Sequence, residues 1–315
     1  MDYVFSVRSV KDGVFSDEPG ATYFLKVPAS AKAPDPKHVV DRTVWFEEVQ
    51  KLARHGPQDD GPAGDIVFYV HGYNTPQKTM LERQRLLRQG LEKAGFEGVV
   101  VSFDWPSKDS ALNYLEDRVD AKQTAFRLVS EGIAAFAAIQ RPDCRINVHV
   151  FAHSTGGYVV REAFDDADDR PAVAARSWSV SQVILISADI SAGSMARDSS
   201  KSSSLYRHCV RLTNYSNPFD DVLSLSNVKR VGVAPRVGRI GLPDDAPDKA
   251  VNVFCGNRFK QHRAKFEHLR APAHIWYFYD DRLLEDVALT VKGDIDRNEI
   301  PTRVRAVDGR LVLDP

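Results

Sequence analysis

Cysteine is scarce in this sequence, and what there is does not pair. Cys144, Cys209 and Cys255 lie far apart, in no spacing that suggests a disulfide framework or a metal-ligand set. Buried thiols in a reducing compartment are the simplest reading. Long hydrophobic runs are missing as well: Ile66–Val70 and Val183–Ile186 are far too short to cross a bilayer. Met1-Asp2-Tyr3-Val4 carries an early acid and no basic region leading into an apolar stretch, so no secretory signal is expected. Together these set the expectation of a cytoplasmic protein. An excess of either charge is also absent. Forty-two Lys and Arg against 43 Asp and Glu leave a net charge of −1, so neither nucleic acid nor membrane is an expected partner. Gly232, Gly238 and Gly241 form no phosphate-binding pattern, which argues against a nucleotide enzyme.

The composition that remains is that of an ordinary globular chain. Hydrophobic residues make up 43% and charged residues 27%, which is incompatible with general disorder. A chain of 315 residues buries enough surface to need no disulfide or metal for stability. It shows no repeat and no convincing linker, so a single domain over residues 1–315 is expected.

Short β-rich runs alternate with helical stretches. Tyr3–Val10 and Thr22–Val27 read as two strands joined by a turn containing Asp12-Gly13 and Pro19-Gly20. His38 to Arg54 reads as helical, and Pro57–Gly64 breaks the chain. Asp65–Val70 is nearly all apolar, as a strand buried on both faces should be. Gln77–Ala94 is a helix that Gly95 ends, and Val99–Phe103 is the next strand. Phe126, Val129, Ile133 and Phe136 then recur at helical spacing. Ile146–Phe151, Val183–Ile186 and Val210–Leu212 are further strands, with Val251–Phe254 the last candidate. The serine-rich stretch Ser191–Ser204 reads as a mobile loop. Such alternation implies right-handed crossovers and a mostly parallel sheet with helices on both faces, preceded here by an antiparallel N-terminal strand pair.

The strongest chemical signal is Val148-His149-Val150-Phe151-Ala152-His153-Ser154-Thr155-Gly156-Gly157. An apolar strand runs into a serine, and a helical segment follows. A nucleophile elbow of the α/β-hydrolase fold needs this layout, with small residues two positions either side of the serine. Ala152 and Gly156 fill those positions. The alternatives are a chance match or a tight turn kept for packing alone; the placement between strand and helix favours catalysis over both. Upstream, Phe68-Tyr69-Val70-His71-Gly72-Tyr73-Asn74 ends a buried strand in His-Gly. The backbone N–H groups of Tyr73 and Thr155 are therefore the candidate oxyanion-hole donors. His71 comes too early in the chain to be the base and reads as a structural histidine.

The order of the triad in this fold is Ser, then Asp or Glu, then His. Only His208, His262, His268 and His274 follow Asp189, and His208 precedes the next acid. His274, just before a final helix over Asp281–Val291, is favoured over His262 and His268, which sit in a basic stretch that reads as a solvated face. For the acid, Asp220 is chosen, with Asp189 as the fallback and Asp221 too close to exclude. Each of these aspartates could equally be a turn or N-cap residue.

Beyond the general fold, the chain resembles a branch of uncharacterised bacterial α/β-hydrolases known as a domain of unknown function. The residues that carry the resemblance are His71-Gly72-Tyr73-Asn74, Asp104-Trp105-Pro106-Ser107, Tyr114 with Asp117, the serine elbow, Ala188-Asp189-Ile190, Asp220 through Ser226, and His274 before an aromatic cluster. The resemblance implies a Ser-His-Asp hydrolase with its acid after the penultimate strand, which supports Asp220. The expected partner is a small acyl substrate, such as a carboxylic ester, and the chemistry needs no cofactor or metal. Two competing readings stand beside it. One is a binding protein that keeps the fold without turnover. The other takes basic Arg258–Lys265, with Phe259 and Phe266, as a nucleic-acid patch.

Overall fold

The computed structural model describes residues 1–55, 63–107, 124–137, 145–175, 178–228 and 234–314. Within them a single eleven-stranded sheet forms the centre. The strands are β1 (Asp2–Lys11), β2 (Val14–Val27), β3 (Arg54–His55), β4 (Ala63–Val70), β5 (Val99–Asp104), β6 (Arg145–His153), β7 (Val180–Ile186), β8 (Cys209–Ser216), β9 (Ala250–Phe254), β10 (Arg303–Arg305) and β11 (Leu311–Leu313). They line up as β10-β11-β9-β8-β7-β6-β4-β5-β1-β2, with β3 paired to β4. Every neighbouring pair from β1 through to β11 is parallel, and β1–β2, β10–β11 and β3–β4 are antiparallel. This is the α/β-hydrolase fold, with the expected N-terminal strand pair.

Strand periodicity divides the core in two. Ile66, Phe68 and Val70 of β4 face one cluster, while Val67 and Tyr69 face the other. The first side is covered by helix α1 (Arg42–Ala53), through Trp45 and Phe46, and by α3 (Thr155–Asp168), through Val159, Val160 and Phe164. The second is covered by α2 (Gln77–Lys93), through Met80, Leu87 and Leu91, and by α4 (Asp281–Lys292), through Leu283 and Val287. Burial of β4 on both faces explains its almost unbroken apolar sequence.

Four expectations change in detail. The N-terminal turn is Asp12-Gly13 alone, both at positive φ (51° and 77°). Pro19-Gly20 lies inside β2, where the register slips against Arg8 and a Cβ on Gly20 would fall 2.2 Å from Ser9 Cα. Ser191–Ser204 is not an open loop but is wound into short helical turns, Ala192–Met195 and Ser200–Ser202, with Ser203–Arg207 beginning at its end. Two of its serines bond inward: Ser194 Oγ donates to Ser191 O and Ser202 Oγ to Met195 Sδ, while Ser200 and Ser203 stay exposed. Val251–Phe254 is not the last strand. β10 and β11 follow, each three residues long, too short to show an alternating pattern; the buried Arg303–Asp286 pair (2.7 Å) ties β10 to α4. Finally, the helix expected around Phe126–Phe136 contains a π-helical run, Leu128–Ile133, among its described residues.

Cys209 and Cys255 are free and buried. Burial pushes the Cys209 thiol up to about 11, which leaves it inert. Cys144, Tyr114 and Asp117 lie outside the described residues.

Candidate active site

The end of β6 sets the geometry. Ser154 follows the strand at φ 57°, ψ −127°, a backbone conformation that non-glycine residues rarely adopt, and α3 starts at the next residue. Three backbone hydrogen bonds hold it there. Its N–H donates to Ile186 O (3.0 Å), and its carbonyl accepts from Gly157 (3.1 Å) and Asp189 (3.0 Å). Strain of this kind costs about 1–3 kcal/mol and persists only where the surroundings over-determine it. The two glycines of the motifs supply the room. A Cβ on Gly156 would lie 2.3 Å from Val70 O, and one on Gly72 would lie 2.7 Å from Ser154 Cβ and 3.2 Å from its Oγ. The end of β4 therefore packs directly on the elbow.

That end is braced from behind. His71 is fully buried and stacks on Trp105 at 5.3 Å, and Trp105 Nε1 donates to His71 O (2.9 Å). Burial lowers the His71 pKa, against the opposing pull of Asp104. Asp104 in turn gathers Arg8 Nε (2.8 Å), Ser6 Oγ (2.9 Å) and Gln77 Nε2 (2.6 Å). Burial favours its neutral form, but the Arg8 guanidinium and His71 together outweigh that and hold the carboxyl below the usual range. The N-terminal hairpin thus supports the loop that carries Tyr73. Tyr73 is half-buried, and its carbonyl accepts from Thr75 Oγ1 (3.2 Å). Thr155 is buried at the first position of α3, where a helix has no internal partner for its N–H groups.

His274 sits in the short helix Pro272–Ile275, 7% exposed, with its Nδ1 2.8 Å from Asp220 Oδ2. Asp220 is fully buried. Its other oxygen accepts the backbone N–H of Leu223 (3.1 Å), so the same carboxylate caps Asp221–Val228 and meets the imidazole. Asp189 lies against the elbow through its backbone N–H, but its carboxylate faces Arg236 Nε at 3.0 Å, with both side chains at most 3% exposed. Asp221 is exposed on the first turn of its helix.

The other candidate histidines are elsewhere engaged or at the surface. His208 contacts Asp168 (2.7 Å) and stacks on Trp178, His262 is partly exposed, and His268 lies edge-on to Tyr279. The basic stretch Arg258–Lys265 offers no stacking platform: Phe259 and Phe266 are 3% and 2% exposed, and Arg258 Nε pairs with Asp280 (2.7 Å).

Two residues of the site were not singled out from sequence. His153 Nε2 donates to the carbonyl of His274 (2.9 Å), and its ring lies 4.8 Å from the His274 ring. Burial, followed by the nearness of His274, drives the His153 pKa well below 6.5. Asn217 Nδ2 donates to Ala273 O (3.0 Å), joining the Asp220 loop to the His274 segment. Adjacency to Ser154 was the one signal that pointed to His153; Asn217 had only its place three residues before Asp220.

Among the described residues there is no group of three His, Cys, Asp or Glu side chains fit to hold a metal, and no helix long and apolar enough to cross a membrane. A family described as alpha/beta hydrolase of unknown function (DUF900) matches residues 47–253. An uncharacterised protein of Nostoc sp. is 28% identical over 117 residues, covering 30% of this chain and 29% of that protein. Among solved structures, lipase B of Aspergillus fumigatus is 19% identical with a TM-score of 0.31, over 62% of this chain and 48% of that one. An extracellular alpha/beta-hydrolase from a Paenibacillus species is 10% identical with a TM-score of 0.31, over 72% of this chain and 98% of that one. The chain thus spans under a third of the Nostoc protein and about half of the Aspergillus lipase.

Proposed function

The chain belongs to this family of α/β-hydrolases, and from that premise we propose that it is a serine hydrolase that cleaves an acyl ester through Ser154, His274 and Asp220. The observation that carries the reading is the buried His274–Asp220 pair, 2.8 Å apart, with His274 held by its own carbonyl to the residue before a serine at positive φ. A tight turn kept for packing has no need of an aspartate-bound histidine beside it.

In this mechanism His274 takes the proton of Ser154 as its oxygen attacks the ester carbonyl. The backbone N–H groups of Tyr73 and Thr155 stabilise the oxyanion; loss of one such donor costs ~100–1,000-fold in turnover. Asp220 stays ionised, fixes the imidazole tautomer through Nδ1 and stabilises its charged form. His274 then protonates the departing alcohol. Water, deprotonated by the same histidine, attacks the acyl-enzyme and releases the acid with free Ser154. The N-terminal hairpin serves this chemistry at a distance, since the Arg8–Asp104 pair backs the loop that bears Tyr73.

The test is labelling of the purified protein with a fluorophosphonate probe, beside Ser154→Ala. Labelling of the wild type alone, together with turnover of short-chain acyl esters, is expected. A folded wild type that takes no label and turns over no ester would mean that the protein keeps the fold as a binding module.

A further inference from the structure

The segment that carries His274 also lines a groove of about 370 Å³, formed between Ala271–Ala273 and the Pro218–Phe219 turn before Asp220. Its surface is of two kinds. Phe219, Val222, Phe259 and Pro272 supply apolar walls, and two of them remain open to solvent, Phe219 at 43% and Val222 at 40%. Ile240, next to the groove residue Arg239, is 49% exposed. The second kind is cationic: Arg239, Arg263 and Arg270 line the groove with a single carboxylate, Asp221. Arg239 is partly buried, and its Nε is enclosed without a hydrogen-bond partner among the described residues.

Three guanidiniums against one carboxylate give this groove a positive balance on a chain whose net charge is −1. Guanidinium groups match phosphate oxygens in pairs. Exposed Phe, Val and Ile beside them gain nothing from a polynucleotide backbone. They do gain from the apolar boundary just beneath a layer of phosphate headgroups. We propose that the groove beside His274 docks the protein on an anionic lipid surface, with Arg239, Arg263 and Arg270 on the headgroup phosphates and Phe219, Val222 and Ile240 in the acyl boundary. The docked surface presents a lipid ester next to the catalytic base. That last step rests on the serine-hydrolase reading, and the docking itself does not. The near-zero net charge concealed such a site, because a local excess is averaged away over 315 residues.

The experiment is sedimentation of the full chain with phosphatidylcholine vesicles, with and without about one third phosphatidylglycerol. Ser154→Ala protein is used so that no lipid is consumed. Binding to the anionic vesicles alone is expected, weakening as salt rises. Replacing all three arginines by glutamine lowers the partition coefficient by on the order of a hundredfold, at about fivefold for each charge. Arg→Lys at the same three positions retains most of the binding, and Phe219→Ser weakens it. These two variants carry the test should the glutamine triple variant fail to fold.

Equal binding to neutral vesicles, no vesicle binding at all, or an unaffected triple variant would overturn the proposal. So would saturable binding of soluble glycerol phosphate by a protein that ignores vesicles. Fluorophosphonate labelling separates the two readings. A protein that labels but does not sediment loses the docking surface alone, whereas one that sediments without labelling keeps it and loses the serine mechanism.

Discussion

The Nε2–H of His153 donates to the carbonyl oxygen of His274 across 2.9 Å, so the residue preceding Ser154 holds the backbone of the histidine that meets Asp220. The bond crosses 121 positions of sequence and joins the end of β6 to the short helix Pro272–Ile275. Because a carbonyl can only accept, the His153 proton is fixed on Nε2 and its Nδ1 carries none in the neutral ring. A second proton on His153 would put two positive rings 4.8 Å apart whenever His274 is charged.

His153 is therefore a positioning residue in the proposed mechanism. His153→Phe keeps the bulk of the ring and removes the donor. Its expected effect is a fall in kcat of about five- to tenfold with KM little changed, the worth of one net hydrogen bond of ~1 kcal/mol. His153→Gln, which restores an N–H, recovers part of the loss. Steady-state kinetics on a short-chain ester checks this. A His153→Phe enzyme with wild-type kcat, or a loss confined to KM, would remove the positioning role.

Buried neutral histidines also fix how stability responds to pH. Burial pulls both His71 and His153 below the ordinary 6.5, with His274 adding to the effect at His153. On acidification the unfolded chain takes up a proton at each position near pH 6.5, and the folded chain does not. Their contribution to stability is thus fully present above that pH. It declines as pH falls below it, at a limiting slope of about 1.4 kcal/mol per unit for each histidine. Chemical denaturation followed between about pH 7.5 and 5 measures the slope. In His153→Gln the decline becomes shallower by about one proton. An identical slope in wild type and variant would show that His153 does not stay neutral in the folded state.

The parts of this molecule that were legible in its sequence are those with a periodic or steric signature. β4 could be read because burial on both faces demands an apolar run, and the elbow because close packing of Gly156 on Val70 O admits no side chain. What escaped notice depends on partners far along the chain. Nothing in the sequence around Arg303 marks it as buried; its pairing with Asp286 depends on α4 being brought beside it. Ser191–Ser204 reads as a mobile loop until the hydroxyls of Ser194 and Ser202 are seen to bond inward. Asp220 and Asp189 looked alike for the same reason: each follows a strand, and only the fold decides which histidine or arginine lies opposite.

That difference gives the two aspartates separable phenotypes. Asp220→Asn keeps a side chain able to cap Asp221–Val228 but removes the negative charge beside His274 and can present an N–H to Nδ1, which favours the wrong tautomer. Loss of kcat by about 10⁴-fold is expected, with fluorophosphonate labelling slowed in proportion and little change in fold. Asp189→Asn leaves Arg236, 2% exposed, without the carboxylate 3.0 Å from its Nε. Removing one partner of a buried ion pair typically costs 3–5 kcal/mol, so this variant shows its effect in denaturant midpoint, with kcat per folded molecule within about tenfold of wild type. Measuring kcat, label rate and unfolding midpoint on both variants decides between the carboxylates. If Asp220→Asn were nearly fully active while a well-folded Asp189→Asn were dead, the triad acid would be Asp189. The 2.8 Å contact between Asp220 and His274 would then be no more than a structural brace.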